Sequence, residues 1–159
     1  MDSVSHTQHL SFRVQDARYA LPLDQVREVI DGGAVTPVPL MPAFVLGIVN
    51  LRGCMIPVID LAARFGLAPP PPGKRTCLVI AEAMLDGQPH RIGLRVQAVE
   101  TVLEVHADDI DPAPPFGTGI RPDFIAGVLQ DDTAVTVMLD LPRLVALEDL
   151  QSTFLAGAS

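Results

Sequence analysis

The sequence predicts a mainly β fold of short strands closed into small barrels or a sandwich. Three observations carry that expectation. Apolar runs rich in Val, Ile and Leu are short and partly alternating. Turn residues separate them at intervals of roughly 8–12 residues. Prolines number 15 of 159, about twice the ordinary share of roughly 5%, which leaves little room for long helices. With 48% hydrophobic and 19% charged residues, the chain is too apolar for intrinsic disorder, and its length suits one domain with a real core.

The elements follow in order. LSFRV (10–14) and RYALPL (18–23) alternate, placing Phe12, Val14, Tyr19, Leu21 and Leu23 on apolar faces around a Gln-Asp-Ala linker, which reads as a hairpin. Pro22 would cost that second strand a ladder hydrogen bond, so the strand is expected at an edge or a bulge. DQVREVI (24–30) combines helical spacing with β-branched residues and stays open between helix and strand. AFVLGIVNLRGCMIPVIDL reads as two strands meeting at the turn residues 50–53. DLAARFGL (60–67) has an Asp cap, helix formers and a glycine near its end, the signature of a short helix. Four prolines at 69–72, followed by Gly73, predict an extended exposed loop.

Beyond that loop, TCLVIAEAM and HRIGLRV form a second hairpin pattern, with Arg91 and Arg95 on one face and Ile92, Leu94 and Val96 on the other. Val99, Val102 and Val105 mark a further strand by composition, and DIDPAPPFG is irregular. FIAGVLQ and AVTVMLDL flank an Asp-Asp-Thr turn, and LPRLVALEDL closes the pattern as a helix with Pro near its start. Two strand-rich halves divided near residues 69–73 predict two barrels sharing a core.

The charge balance, 11 Lys and Arg against 19 Asp and Glu for a net of −8, repels phosphate backbones and anionic lipid. Few aromatics are available for base stacking. Nucleic acid is therefore not an expected partner. No apolar run is long enough to span a bilayer, so direct membrane insertion is not expected either. The start MDSVSHTQHL lacks a secretory pattern, and the expected location is cytoplasmic. Cys54 and Cys77 sit in apolar runs without CxxC spacing and read as small hydrophobes.

Motifs for chemistry are missing. The Gly66 to Lys74 spacing is two residues too long for a phosphate loop, and Gly117-Thr118-Gly119 lacks the context of a dinucleotide fingerprint. The four histidines are scattered without metal-ligand spacing, with His6 and His9 on an expected frayed terminus. Serines cluster toward the termini without a nucleophile elbow. Asp108, Asp109 and Asp111 do not follow an EF-hand order. The expectation is a protein with no catalytic residues, no cofactor and no metal. Exposed anchors for a partner are sought instead at Val26, Val29 and Ile30 beside Arg27 and Glu28, at Leu51 and Arg52, and at Phe116. Composition alone favours the core for the valines, whereas Arg52 stands between apolar runs and must reach water or a partner.

TPVPLMPAFVLGIVNLRGCMIPVIDLAARFGL resembles the signature of the CheW-like domain family, the adaptors of bacterial chemotaxis arrays. YALPLDQVREVI upstream, and HRIGLRVQAVETVLEV, DIDPAPPFG and DFIAGVLQDDTAVTVMLDLPRLV downstream, extend the resemblance over residues 10–150. Residues 1–9 are then a flexible start and 151–159 a tail. The resemblance implies two five-stranded SH3-like barrels around a joint hydrophobic core. It also implies a non-enzymatic scaffold between the cytoplasmic tips of chemoreceptors and the regulatory domain of a CheA-type histidine kinase. Carried over by position, Val26, Glu28, Leu51 and Arg52 face the receptor and Phe116 the kinase. The proline loop, Pro22 and the small-residue tail FLAGAS depart from the best-known members, which keeps an alternative array, such as twitching motility or surface sensing, in view. A small-molecule-binding sensory module is the competing function class.

Overall fold

The computed structural model describes residues 6–32, 35–68, 70–85, 87–112, 124–130 and 134–145. Eleven strands and two single-turn helices follow one another among these residues. They are β1 (His6–Val14), β2 (Ala17–Pro22), β3 (Val26–Asp31), β4 (Val45–Leu51), β5 (Cys54–Asp60), α1 (Leu61–Arg64), β6 (Cys77–Leu85), β7 (Gln88–Val96), β8 (Ala98–His106), β9 (Ile110–Asp111), β10 (Ile125–Gln130), β11 (Val135–Leu139) and α2 (Leu141–Leu144).

The hairpins expected from alternation are present: β1 with β2, β4 with β5, β6 with β7 and β10 with β11 all pair antiparallel. Two sheets result, in the orders β8-β1-β2-β11-β10-β9 and β3-β6-β7-β5-β4. One sheet thus has six strands instead of the expected five, the addition being the two-residue β9. The open reading of residues 24–30 resolves into both of its parts, a 3-10 turn at Leu23–Gln25 and then β3.

The proline segment does not divide the sheets. Residues 70–72 lie between β5 and β6, which belong to the same five-stranded sheet, and the chain passes between sheets at 22–26 and at 96–98. The reason is two parallel pairings, β5 with β7 and β2 with β11, which join strands far apart in sequence. The second of these also corrects the expectation for Pro22. β2 lies inside its sheet, between β1 and β11, but β11 pairs only with Arg18, Tyr19 and Ala20, so Pro22, matched with His9 of β1, lies beyond the β11 pairing and is flanked by a strand on one side only.

Both faces of each sheet are covered. Between the sheets, Phe12, Tyr19, Leu21, Ile59, Leu61, Val79, Leu94, Phe124, Leu139 and Leu144 belong to one joint core, as expected for barrels that share their interior. Inside the five-stranded sheet, Val49, Ile56, Val58, Leu78 and Ile80 form a second cluster that also holds Ile30, Val35, Leu46 and Leu51. These residues come from both edges of the sheet, β3 and β4, so the sheet is curled into a barrel. Thr36 and Ile48 close it with reciprocal backbone hydrogen bonds of 2.8 and 2.9 Å. Gly47, at φ 146°, permits that approach, because a Cβ there would collide with the Thr36 carbonyl. Ala20, Val105 and Met138, with Leu103, Ile110 and Leu129, fill the six-stranded barrel in the same way.

α1 fastens the two units. Asp60 caps it, one carboxylate oxygen accepting the Ala63 amide at 3.0 Å while the other accepts Arg95 Nε at 2.9 Å and Nη2 at 2.7 Å. Phe65 beyond it packs on Tyr19 and Phe124, with ring centroids 4.9 and 6.3 Å apart. The Arg64 guanidinium lies over the Phe44 and Phe124 rings, and its Nε donates to the Leu144 carbonyl at 2.8 Å.

Two minor expectations change. His9 is buried within β1 between β2 and β8, not frayed, because the strand extends back to residue 6 to pair with β8. Burial pushes its pKa below the ordinary value, against a smaller opposing pull from Asp24. Cys54 is exposed at the turn end of β5, whereas Cys77 packs against the joint core; burial raises the Cys77 thiol.

Candidate functional site

The residues Asn50-Leu51-Arg52-Gly53 make the β4–β5 turn. Leu51 pairs with Cys54, so Arg52 and Gly53 form a two-residue connection with both φ angles positive, 52° and 84°. That left-handed pair matches the twist of the flanking strands. The Asn50 carboxamide oxygen accepts the Gly53 amide at 3.0 Å and holds the turn. A large side chain at a left-handed position in a tight turn has no sheet to lie on, and the Arg52 side chain is 70% exposed.

Its partner comes from the opposite edge of the barrel. Glu28 on β3 pairs with Arg52 through Oε2 and Nη2, so an ion pair bridges the gap between the two barrel edges. A β-bulge between Val26 and Glu28 displaces Arg27 from the ladder. Arg27 turns to Glu82 on β6 as a two-pronged fork, Nε to Oε1 at 3.2 Å and Nη2 to Oε2 at 3.0 Å. Arg91, which lies opposite Glu82 in the β6–β7 register, approaches the same Oε1 at 3.5 Å. The hydrogen bond from Arg27 is the first cause holding the Glu82 carboxyl below its usual range, and the same bond raises Arg27. Arg52, Glu28, Arg27, Glu82 and Arg91 therefore alternate in sign from the β4–β5 turn across β3 and β6 to β7.

The four residues expected to face a partner do not play one part. Glu28 and Arg52 are brought together at the surface. Val26 packs against the joint core, and Leu51 packs into the interior of the five-stranded barrel, because the bulge and the hairpin register turn both inward. The exposed apolar neighbours are Val29 and Met55. Phe116 lies outside the described residues. Sequence reading overlooked the link from Arg27 to Arg91 through Glu82. Its signal was available, since the hairpin register that separates Arg91 and Arg95 from the apolar face also sets Glu82 opposite Arg91.

Among the described residues, no three His, Cys, Asp or Glu side chains converge as a metal would require, and no helix is long and apolar enough to cross a membrane. The described residues thus form two packed barrels bearing a charged band, with its ion pairs at the surface. Residues 8–149 match the CheW-like domain, and the chain belongs to that family. A probable chemotaxis protein CheW from Rhizobium etli is 33% identical over 135 residues, covering 85% of this chain and 84% of its own. The chemotaxis protein CheW of Rhizobium meliloti is 31% identical over 143 residues, 90% of each chain. The crystal structure of the scaffolding protein TtCheW from Thermoanaerobacter tengcongensis superposes with a TM-score of 0.80 at 32% identity over 90% of both chains. The expected fold of two SH3-like barrels and the function class of a chemotaxis coupling adaptor both stand on these likenesses.

Proposed function

We propose that this protein is a non-enzymatic scaffold that links the cytoplasmic tips of chemoreceptors to the regulatory domain of a CheA-type histidine kinase. In this reading the end of the five-stranded barrel around Glu28 and Arg52 meets the receptor, with Leu51 and Val26 shaping the surface from beneath. The observation that carries it is Arg52: a left-handed turn position holds a guanidinium out of the fold, 70% exposed. An exposed pair of this kind contributes about 0–1 kcal/mol to folding, so its value lies in what it can contact. The kinase contact proposed here is Phe116, which follows Pro112, Pro114 and Pro115 in the sequence.

One pocket among the described residues lies beneath the proline segment and is too small for a metabolite. Lined by Pro70, Pro71, Pro72, Asp60, Arg95 and Gln97, it encloses about 10 Å³, space for a single water.

The test is Arg52→Glu, measured against a soluble chemoreceptor cytoplasmic fragment. Its affinity should fall roughly tenfold or more, with the thermal midpoint within a few degrees of the parent. Unchanged receptor binding overturns the assignment. In parallel, Phe116→Ala should weaken binding of the kinase regulatory domain and leave the receptor affinity unaltered; a loss of about 3–5 kcal/mol of stability with normal kinase binding would instead mark a core phenylalanine.

A further inference from the structure

The charged band does not end at Glu28, and its far end is built differently. Glu82 accepts both prongs of the Arg27 fork, while Arg91 has one long contact to an oxygen already engaged, and its side chain is 48% exposed. The band therefore holds three guanidinium groups and two carboxylates, with a cation at each end. This surplus sits on the cationic part of an anionic molecule. Residues 26–96 contain seven of the eleven Lys and Arg and five of the nineteen Asp and Glu, a net of +2, and the rest of the chain contains four and fourteen, a net of −10.

Beside Arg91 the same side of the β6–β7 hairpin carries apolar surface. Met84 pairs with Pro89 two positions along from the Glu82–Arg91 pair, and by strand alternation all four side chains share one side. Met84 is 59% exposed and Pro89 is exposed. The opposite side of the hairpin is committed, since Ala83, Leu85 and Ile92 are in the joint core. Glu82 and Met84 continue the side on which Leu78 and Ile80 line the barrel interior, so at the end of the barrel this side presents an adaptable thioether next to an under-satisfied guanidinium, a combination that suits a carboxylate flanked by an apolar side chain.

We infer that the docking surface runs the length of the band from Arg52 to Arg91, and that Arg91 with Met84 receives an acidic residue and its apolar neighbour from the chemoreceptor tip. The inference rests on the proposal that Arg52 faces the receptor, with which Arg91 is continuous through Glu28, Arg27 and Glu82. Arg91 acts here as a specificity-determining residue: it selects receptors carrying negative charge at that point and speeds their approach.

Binding of a soluble chemoreceptor cytoplasmic fragment to the full chain is measured for Arg91→Glu, Glu82→Gln and Arg52→Glu at low and high salt. Arg91→Glu should weaken binding about three- to tenfold at 50 mM salt, chiefly by slower association, with the difference shrinking by 500 mM. Glu82→Gln removes the central negative charge and should bind at least as tightly as the parent; a purely structural band predicts that both changes weaken binding alike. Should Arg91→Glu fail to fold, Arg91→Gln replaces it, with a smaller loss expected. Normal receptor binding by the Arg91 variants while Arg52→Glu is impaired overturns this inference and leaves the receptor assignment standing. Normal binding by both removes the receptor assignment itself. Impaired binding of the kinase regulatory domain alone would overturn the receptor as occupant.

Discussion

Two carboxylate–arginine pairs in the same five-stranded sheet make opposite uses of one interaction. In Asp60–Arg95 the side chains are 5% and 18% exposed, the carboxylate also caps α1, and the contacts are short on both nitrogens. In Glu28–Arg52 they are 29% and 70% exposed, and one nitrogen meets one oxygen. The largely buried pair has little access to water, so losing either partner leaves a charge that solvent screens poorly. The surface pair can exchange its partner for water or another protein at almost no cost. Chemical identity therefore says little about a pair's role; burial and the number of contacts decide it.

The sharpest way to break the comparison is Asp60→Ala. It removes the cap and leaves the Arg95 guanidinium unpaired, so unfolding free energy should drop by about 3–5 kcal/mol in a denaturant titration. A loss below 1 kcal/mol would put the two pairs in one class. The matching change at the surface, Glu28→Gln, should shift stability by less than about 1 kcal/mol while altering receptor affinity. A smaller effect comes from His9. Its folded pKa lies below the unfolded value, so the unfolded chain takes up the proton first as pH falls below about 6.5. Stability then decreases as pH drops through that window and recovers as pH rises. His9→Gln should flatten the slope between pH 5 and 7, and an identical slope would mean that the imidazole titrates as if exposed.

How much of this was legible in the sequence differs between local and distant features. The hairpins β1–β2, β4–β5 and β6–β7 were legible because alternation and turn residues act within a few positions. The Asp60 cap was legible for the same reason. The assignment of strands to sheets was not, since the parallel pairs β5–β7 and β2–β11 leave no local trace. Within the site, Arg52 announced itself as a lone cation in a turn. For Val26 composition favoured the core while the family resemblance pointed to a partner, and periodicity could not decide between them, because a bulge after it breaks the period on which an inward or outward reading depends.

The sheet order also bears on how the chain acquires its shape during synthesis. All five strands β3 to β7 lie within residues 26–96 and can pair as soon as that stretch has emerged. The other sheet must wait: β1 needs β8, and Arg18 on β2 is matched with Thr136 on β11, 118 positions later. Such long-range closures are slow, and until they form the first hairpin has an unpaired edge, the kind of surface on which nascent chains aggregate. The barrel that bears the charged band is thus able to form first, and the N-terminal hairpin is locked in place only once β11 has been made.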